Sequence, residues 1–322
     1  MINKKILLFG GSGSLGNAFI QRYLETNTII NYSRDECKHW KMNLKYKNPN
    51  LSFIIGDIRD YNAVETAILR IQPHIIIIMA ALKHIDKCEY AINECVQTNF
   101  MGPFNVLNAI DKNNDRIINL TCTVMVSTDK ACEPCNVYGM SKALAESAIS
   151  EKSLCILNRK FICVRYGNVL NSRGSIIPIL HEKGSDHNVK EFTITDVDMT
   201  RFIMTLDESI NLIEHAINNG ESGDIVIPKL ISIKLIDLIT IFSDKYNKPI
   251  VVIGLRPGEK MLESLISETQ SMRLIKDIYG YMFIKPCYKN FIDKSDVKNY
   301  NSTINPLTKE ELKKYLIDLN LL

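Results

Sequence analysis

The stretch that most restricts the fold is KKILLFGGSGSLGNAFI, residues 4–20. An apolar run suited to a β-strand ends in Gly10-Gly11-Ser12-Gly13-Ser14-Leu15-Gly16, and a helix-compatible segment follows at once. Both G-x-G-x-x-G (Gly11, Gly13, Gly16) and G-x-x-G-x-x-G (Gly10, Gly13, Gly16) fit. Glycines allow a tight turn and let a pyrophosphate reach backbone N–H groups at a helix N-terminus, where the dipole favours negative charge. The first strand, turn and helix are therefore expected to hold a dinucleotide, with Gly10, Ser12, Gly13, Ser14, Leu15 and Gly16 as its cradle.

The first half keeps this rhythm. Residues 6–9, 28–32, 52–55, 74–79, 123–127 and 161–165 read as strands. Residues 61–71, 91–112 and 136–152 read as helices, with Asp60 and Asn136 as N-caps. Continuous apolar runs such as IIIIM (75–79) suit strands covered on both faces. The expected class is α/β: a Rossmann-like doubly wound parallel sheet with a smaller C-terminal substrate-binding lobe. Pro and Gly punctuate shorter elements after about residue 170. The expected division is thus 1–170 for the dinucleotide domain and 171–322 for the lobe, with residues of about 200–230 packing back on the former.

Strand ends carry the next signals. The second strand runs into NYSRDE, so Ser33 and Arg34 occupy the tip where an NAD site places a carboxylate for the ribose hydroxyl. A guanidinium there suits a 2′-phosphate and favours NADP, although Asp35 and Glu36 follow closely. Asp57 and Ile58, after the third strand, are expected near the adenine, and Ala80 and Ala81, after the fourth, beside the cofactor. Tyr138 and Lys142 share a helix face. An adjacent ammonium would lower the phenol's pKa from near 10, so that Tyr138 could take a hydroxyl proton while the same carbon is oxidised. Ser127-Thr128, ending the preceding strand, adds a hydroxyl to the set. Asp129 and Lys130 then place a carboxylate and a second amine side by side.

Whole-chain features narrow the classes. A formal charge of +3 is too small to imply a nucleic-acid partner, and Lys38, Lys41, Lys45 and Lys47 read as a solvated helix face. No secretory leader and no apolar run long enough to span a membrane is visible, so a cytoplasmic protein is expected. Nine scattered cysteines then read as reduced thiols. The C-x-x-C of Cys132 and Cys135 lacks further ligands for zinc and reads as a turn, with a redox disulfide as the alternative; no metal site is expected. The Asn-linked sequons at Asn119 and Asn301 carry no weight in such a chain.

Together GGSGSLG, SRDE, GDIRD, AALKH, TNFMGPFNV, STDK, NVYGMSK, RYGNVLNSRGS, MTRF and RPGEK resemble, over nearly the full length, an extended short-chain dehydrogenase/reductase. More narrowly they are similar to the UDP-N-acetylglucosamine 4,6-dehydratases that invert C5. The resemblance implies a soluble NADP-dependent homo-oligomer, a dimer or hexamer, acting on a UDP-sugar. It also implies roles: Tyr138 oxidises C4, Asp129 protonates the C6 hydroxyl, Lys130 removes the C5 proton, and hydride returns to C6. Lys130 must then be partly neutral, which Lys83 or Lys142 nearby would promote. For the substrate the resemblance implies Lys83 (shared with the cofactor), His84, Asn168, Arg173, Gly174 and Ser175, with Arg201, Arg256 and Glu259 at the UDP end. Arginine forks suit phosphate oxygens. A C5-retaining UDP-hexose dehydratase, a nucleotide-sugar 4-epimerase or reductase, and a non-catalytic NADP-binding regulator are the alternatives. The reductase class needs no Asp129–Lys130 pair, and a regulator needs neither Tyr138 nor Lys142.

Overall fold

A computed structural model describes residues 1–289 and 299–322 of the chain. Five βα units open it. The strands are β1 (Lys5–Phe9), β2 (Thr28–Ser33), β3 (Leu51–Ile55), β4 (Ile75–Ile78) and β5 (Cys122–Val126). The helices are α1 (Ser14–Tyr23), α2 (Glu36–Tyr46), α3 (Tyr61–Ile71), the chain α4 (Ile85–Tyr90), α5 (Ile92–Val96) and α6 (Gly102–Lys112), and then α7 (Val137–Cys155). Asp60 and Asn136 cap α3 and α7 by accepting from Ala63 N and Gly139 N. Three of the four lysines in the basic cluster lie on α2, and Lys47 closes it in the left-handed conformation.

After β6 (Lys160–Val164) come β7 (Asn168–Val169), α8 (Ile176–Ser185), β8 (Phe192–Ile194), β9 (Thr200–Met204) and α9 (Leu206–Asn219). Next are β10 (Ile225–Ile227), β11 (Ile231–Lys234), α10 (Leu235–Tyr246), β12 (Ile250–Val252), β13 (Ser264–Ile266) and α11 (Glu268–Ser271). The chain ends with β14 (Leu274–Lys276), β15 (Met282–Ile284), β16 (Tyr300–Asn301) and α12 (Lys309–Asp318).

The main sheet has nine strands in the order β14-β15-β10-β6-β5-β4-β1-β2-β3. The run from β3 to β10 is parallel, and β15 and β14 are added antiparallel. Alternate residues of β1 and β4 serve opposite layers. Leu7, Phe9, Ile76 and Ile78 pack toward α3, α6 and α7, whereas Ile6, Leu8, Ile75 and Ile77 pack toward α1 and α9. This two-sided burial is why the strands read as unbroken apolar runs. Helix α9 lies against α1, with Arg22 donating to Asp207 at 2.7 Å, and β10 joins the sheet beside β6. A separate apolar cluster under α8, α10 and α12 forms the base of the C-terminal lobe.

Strand order reverses direction between β1 and β4, the position where open α/β sheets bind ligands beyond their carboxyl ends. One departure from the sequence reading lies close by. The expected helix over 91–112 is interrupted by a π-helical turn at Gln97–Met101. Such turns insert a residue and redirect side chains; here they turn Thr98 into the cleft and bury Asn99.

Candidate active site

The carboxyl ends of the parallel strands open into a cleft of about 720 Å³. The glycine turn forms one wall. Gly10 adopts φ +88°, and a Cβ there would lie 2.7 Å from the Ala80 backbone; at Gly16 a Cβ would overlap the backbone of Gly11. The turn can therefore close only with glycine at both positions, and it leaves Ser12, Gly13, Ser14 and Leu15 along the cleft. Ser33, Arg34, Asp57 and Ile58 line its far end, and Ala80 and Ala81 its floor. Arg34 is half-exposed, with its guanidinium 3.6 Å from Asp57 Oδ2. Burial works against the Asp57 carboxylate, but Arg59, supported by Arg34, outweighs it and lowers its pKa. Ser33 Oγ shares a 2.6 Å hydrogen bond with His39, a residue on α2 that strand-tip reasoning passes over. Thr98 Oγ1 is buried against the cleft with no partner among the described residues. The glycine cradle, the cation at the second strand tip and this unpaired hydroxyl together fit an extended dinucleotide.

The Asp129–Lys130 and Tyr138–Lys142 pairs meet where β5 ends. Thr128 caps a short turn over Asp129–Ala131 and donates to Asp129 Oδ1 at 2.9 Å. That turn packs against the start of α7, and Gly139 makes the contact possible, since a Cβ there would overlap the Lys130 carbonyl oxygen. Tyr138 is thereby held beside the Asp129–Lys130 pair, and Lys142 follows one helical turn on. Thr128, Lys130, Tyr138 and Lys142 line the cleft, while Asp129 is fully buried behind them.

Lys130 departs from expectation. Its Nζ lies 2.9 Å from Asp129 Oδ1, 3.4 Å from Glu263 Oε1 and 3.3 Å from Asn168 Oδ1. Burial disfavours its charge, but Asp129 and Glu263 outweigh burial and raise its pKa above the ordinary lysine value. The cations expected to neutralise it point elsewhere. Lys83 Nζ donates to the Arg173 carbonyl at 2.5 Å and Lys142 Nζ to the Val126 carbonyl at 2.6 Å. Lys142 is instead the amine brought toward neutrality, its pKa falling to about 8 through burial. Tyr138 moves up to about 12, because burial outweighs the lowering by Lys130 and Thr128; its neighbouring cation is Lys130 rather than Lys142.

Lys83, His84, Asn168, Arg173, Gly174 and Ser175 also line the cleft. The 172–175 loop bridges it: Arg173 N donates to Ser14 Oγ at 3.0 Å, and Lys83 holds the other side. Arg201, Arg256 and Glu259 stand apart from the lining. The Arg201 guanidinium is buried and donates to the carbonyls of Thr200, Met261 and Lys260, so it braces the chain rather than facing the cleft. Arg256 is exposed and Glu259 half-buried on the 253–260 segment, where Glu259 accepts from Arg256 N. That segment is tied to the 132–136 stretch through Asn136 Nδ2 to Gly258 O (2.8 Å) and Lys260 Nζ to Cys132 O (3.0 Å). Cys132 and Cys135 are free thiols, and no group of side chains suited to a metal occurs among the described residues.

Beneath the site lies a buried network that sequence reasoning missed. Arg165 donates to both oxygens of Glu146 and to the Leu265 carbonyl, and Ser127 Oγ donates to Glu146 at 2.5 Å. Asn99 joins the Leu82 backbone to Ser141 on α7. Glu263 and Arg165 carried one faint signal, charges within otherwise apolar strand-like segments, but their partners are distant in sequence.

Comparison with known proteins agrees with this geometry. The family model described as "Polysaccharide biosynthesis protein" matches residues 6–285. A Rickettsia canadensis protein named UDP-glucose 4-epimerase is 37% identical over 99% of this chain and 97% of its own. A Campylobacter jejuni protein named UDP-N-acetylglucosamine 4,6-dehydratase (inverting) is 36% identical over 94% and 89%. Among solved structures, Pen from Bacillus thuringiensis superposes with a TM-score of 0.91 at 31% identity, covering 100% of this chain and 99% of that one. No helix among the described residues is long and apolar enough to cross a membrane. A chain with a dinucleotide-type turn, a Tyr138–Lys142 pair and these full-length relatives belongs to the polysaccharide-biosynthesis family of nucleotide-sugar dehydratases and epimerases.

Proposed function

We propose that this protein is a cytoplasmic, homo-oligomeric UDP-N-acetylglucosamine 4,6-dehydratase that uses NADP and inverts C5. The observation that carries the reading is the contact between Asp129 and Lys130, an acid and an amine 2.9 Å apart beside Tyr138. A 4-epimerase needs the tyrosine–lysine pair alone; elimination of water needs one group to protonate the leaving hydroxyl and another to take the neighbouring proton.

When bound, the nicotinamide supplies the oxidant for C4 and restores the reducing equivalent to C6. The protein's own residues do the rest. With the positive charge that bound nicotinamide would bring to offset burial of its phenol, Tyr138 takes the C4 hydroxyl proton, and the resulting ketone acidifies C5–H. Asp129 gives its proton to the C6 hydroxyl, which departs as water, and Lys130 takes the C5 proton. Lys142 holds the Val126 carbonyl and the floor of the cofactor site, and Arg34 meets the 2′-phosphate. Arg256 and Glu259 reach the UDP end from the 253–260 segment.

The relatives named UDP-glucose 4-epimerase support a second reading, reversible C4 inversion. Mass analysis of UDP-N-acetylglucosamine incubated with the protein and trace NADP separates the two. A product lighter by one water supports dehydration. A product of unchanged mass with inverted C4 supports epimerisation.

A further inference from the structure

Glu263 is the unassigned charge at this site. It lies at the edge of β13, 2% exposed and outside the cleft lining. Its Oε1 faces Lys130 Nζ at 3.4 Å and Arg201 Nε at 4.0 Å, and its Oε2 has no hydrogen-bond partner among the described residues. Asp129, the other carboxylate on Lys130, accepts at Oδ1 from Thr128 and from Lys130 itself, while its Oδ2, like Glu263 Oε2, has no partner among the described residues. A buried carboxylate that accepts few hydrogen bonds is the one most readily protonated. Burial accordingly raises the Glu263 pKa.

Lys130, its pKa raised by the two carboxylates beside it, is an ammonium at neutral pH and has no lone pair with which to take a proton from C5. Its proton has to go somewhere inside the cluster. Asp129 cannot be that store on the reading above, since it already carries the proton it gives to the leaving hydroxyl. We propose that Glu263 is the proton-accepting partner of Lys130, taking the Nζ proton through Oε1 so that the free amine can act on C5–H. One N–H bond breaks and one O–H bond forms; an ammonium and a carboxylate become an amine and a carboxylic acid, and the cluster's net charge is unchanged. Glu263 acts through Lys130 and is a positioning and proton-holding residue rather than a substrate contact. The proposal rests on Lys130 being the C5 base.

The test compares wild type, Glu263→Gln, Glu263→Asp and Lys130→Ala, each loaded with NADP and given UDP-N-acetylglucosamine in heavy water. C4 oxidation is followed in a single turnover by nicotinamide absorbance, and deuterium at C5 by mass spectrometry. In Glu263→Gln the amide keeps the shape but cannot take the proton. C5 deuteration is expected to fall ~100-fold or more, the range of a lost acid–base partner, while C4 oxidation persists. Glu263→Asp is expected to recover part of the exchange. Wild-type exchange in Glu263→Gln with exchange lost in Lys130→Ala overturns the Glu263 assignment alone. Equal loss of both steps in Glu263→Gln, unrelieved by Asp, also overturns it by showing a structural role. Wild-type exchange in Lys130→Ala overturns the base assignment beneath it.

Discussion

Replacing Lys142 with methionine should stabilise the cofactor-free protein at neutral pH. Lys142 is 3% exposed, its pKa lies at about 8, and its Nζ hydrogen bond goes to the Val126 carbonyl at 2.6 Å. In the unfolded chain a lysine titrates near ~10.4. At pH 7 it is protonated in both states, so folding carries a cost for burying the cation. A pKa gap of about 2.5, at ~1.36 kcal/mol for each, makes that cost ~3 kcal/mol. The cost is full below pH 8, shrinks between 8 and about 10.5, and vanishes above. Methionine keeps the aliphatic length but leaves the Val126 carbonyl without its donor, which costs ~1 kcal/mol. The expected net is a gain of ~2 kcal/mol at pH 7 that falls with rising pH and changes sign near pH 10. Urea denaturation of both cofactor-free proteins at pH 7 and pH 10 reads this directly. A destabilised variant at pH 7, or one whose difference from wild type is the same at both pH values, would refute the reasoning. A buried amine poised near neutrality is costly, and its retention is understandable at a functional site.

Three further outcomes follow from the geometry. Gly16→Ala forces a Cβ into the Gly11 backbone and should abolish NADP binding measured by calorimetry. Glu146→Ala leaves the fully buried Arg165 guanidinium unpaired and should cost ~3–5 kcal/mol in denaturant unfolding; the double change of Glu146 and Arg165 to leucine should recover most of it. Arg34→Ala removes the charge expected at the 2′-phosphate, so NADP affinity should fall by ~10–100-fold while NAD affinity holds.

The framework of this protein was legible because it rests on local rules. Strand ends fell within about one residue of expectation, and Asp60 and Asn136 cap their helices as read, since apolar runs and capping depend on near neighbours. The strand tips and the start of α7 that line the cleft, from the glycine turn to Lys142, are legible for the same reason. What escaped depends on distant contacts. The π-turn at 97–101 follows the same apolar pattern as an α-helix, so only packing reveals it. Lys83 and Lys142 are expected beside Lys130, yet its protonation is decided by the adjacent Asp129 together with Glu263, which is distant in sequence. Arg201 looked like a phosphate ligand because of its type and its motif, but its guanidinium is consumed by backbone carbonyls.

The claim at the centre of this account is that Asp129 and Lys130 perform an elimination at C5–C6. The direct test is NMR of UDP-N-acetylglucosamine incubated in heavy water with the protein and less than one equivalent of NADP. The account predicts a 4-keto-6-deoxy sugar carrying solvent deuterium at C5, with ring couplings that report inversion there. Recovery of the C4 epimer with its C5 proton intact would contradict it.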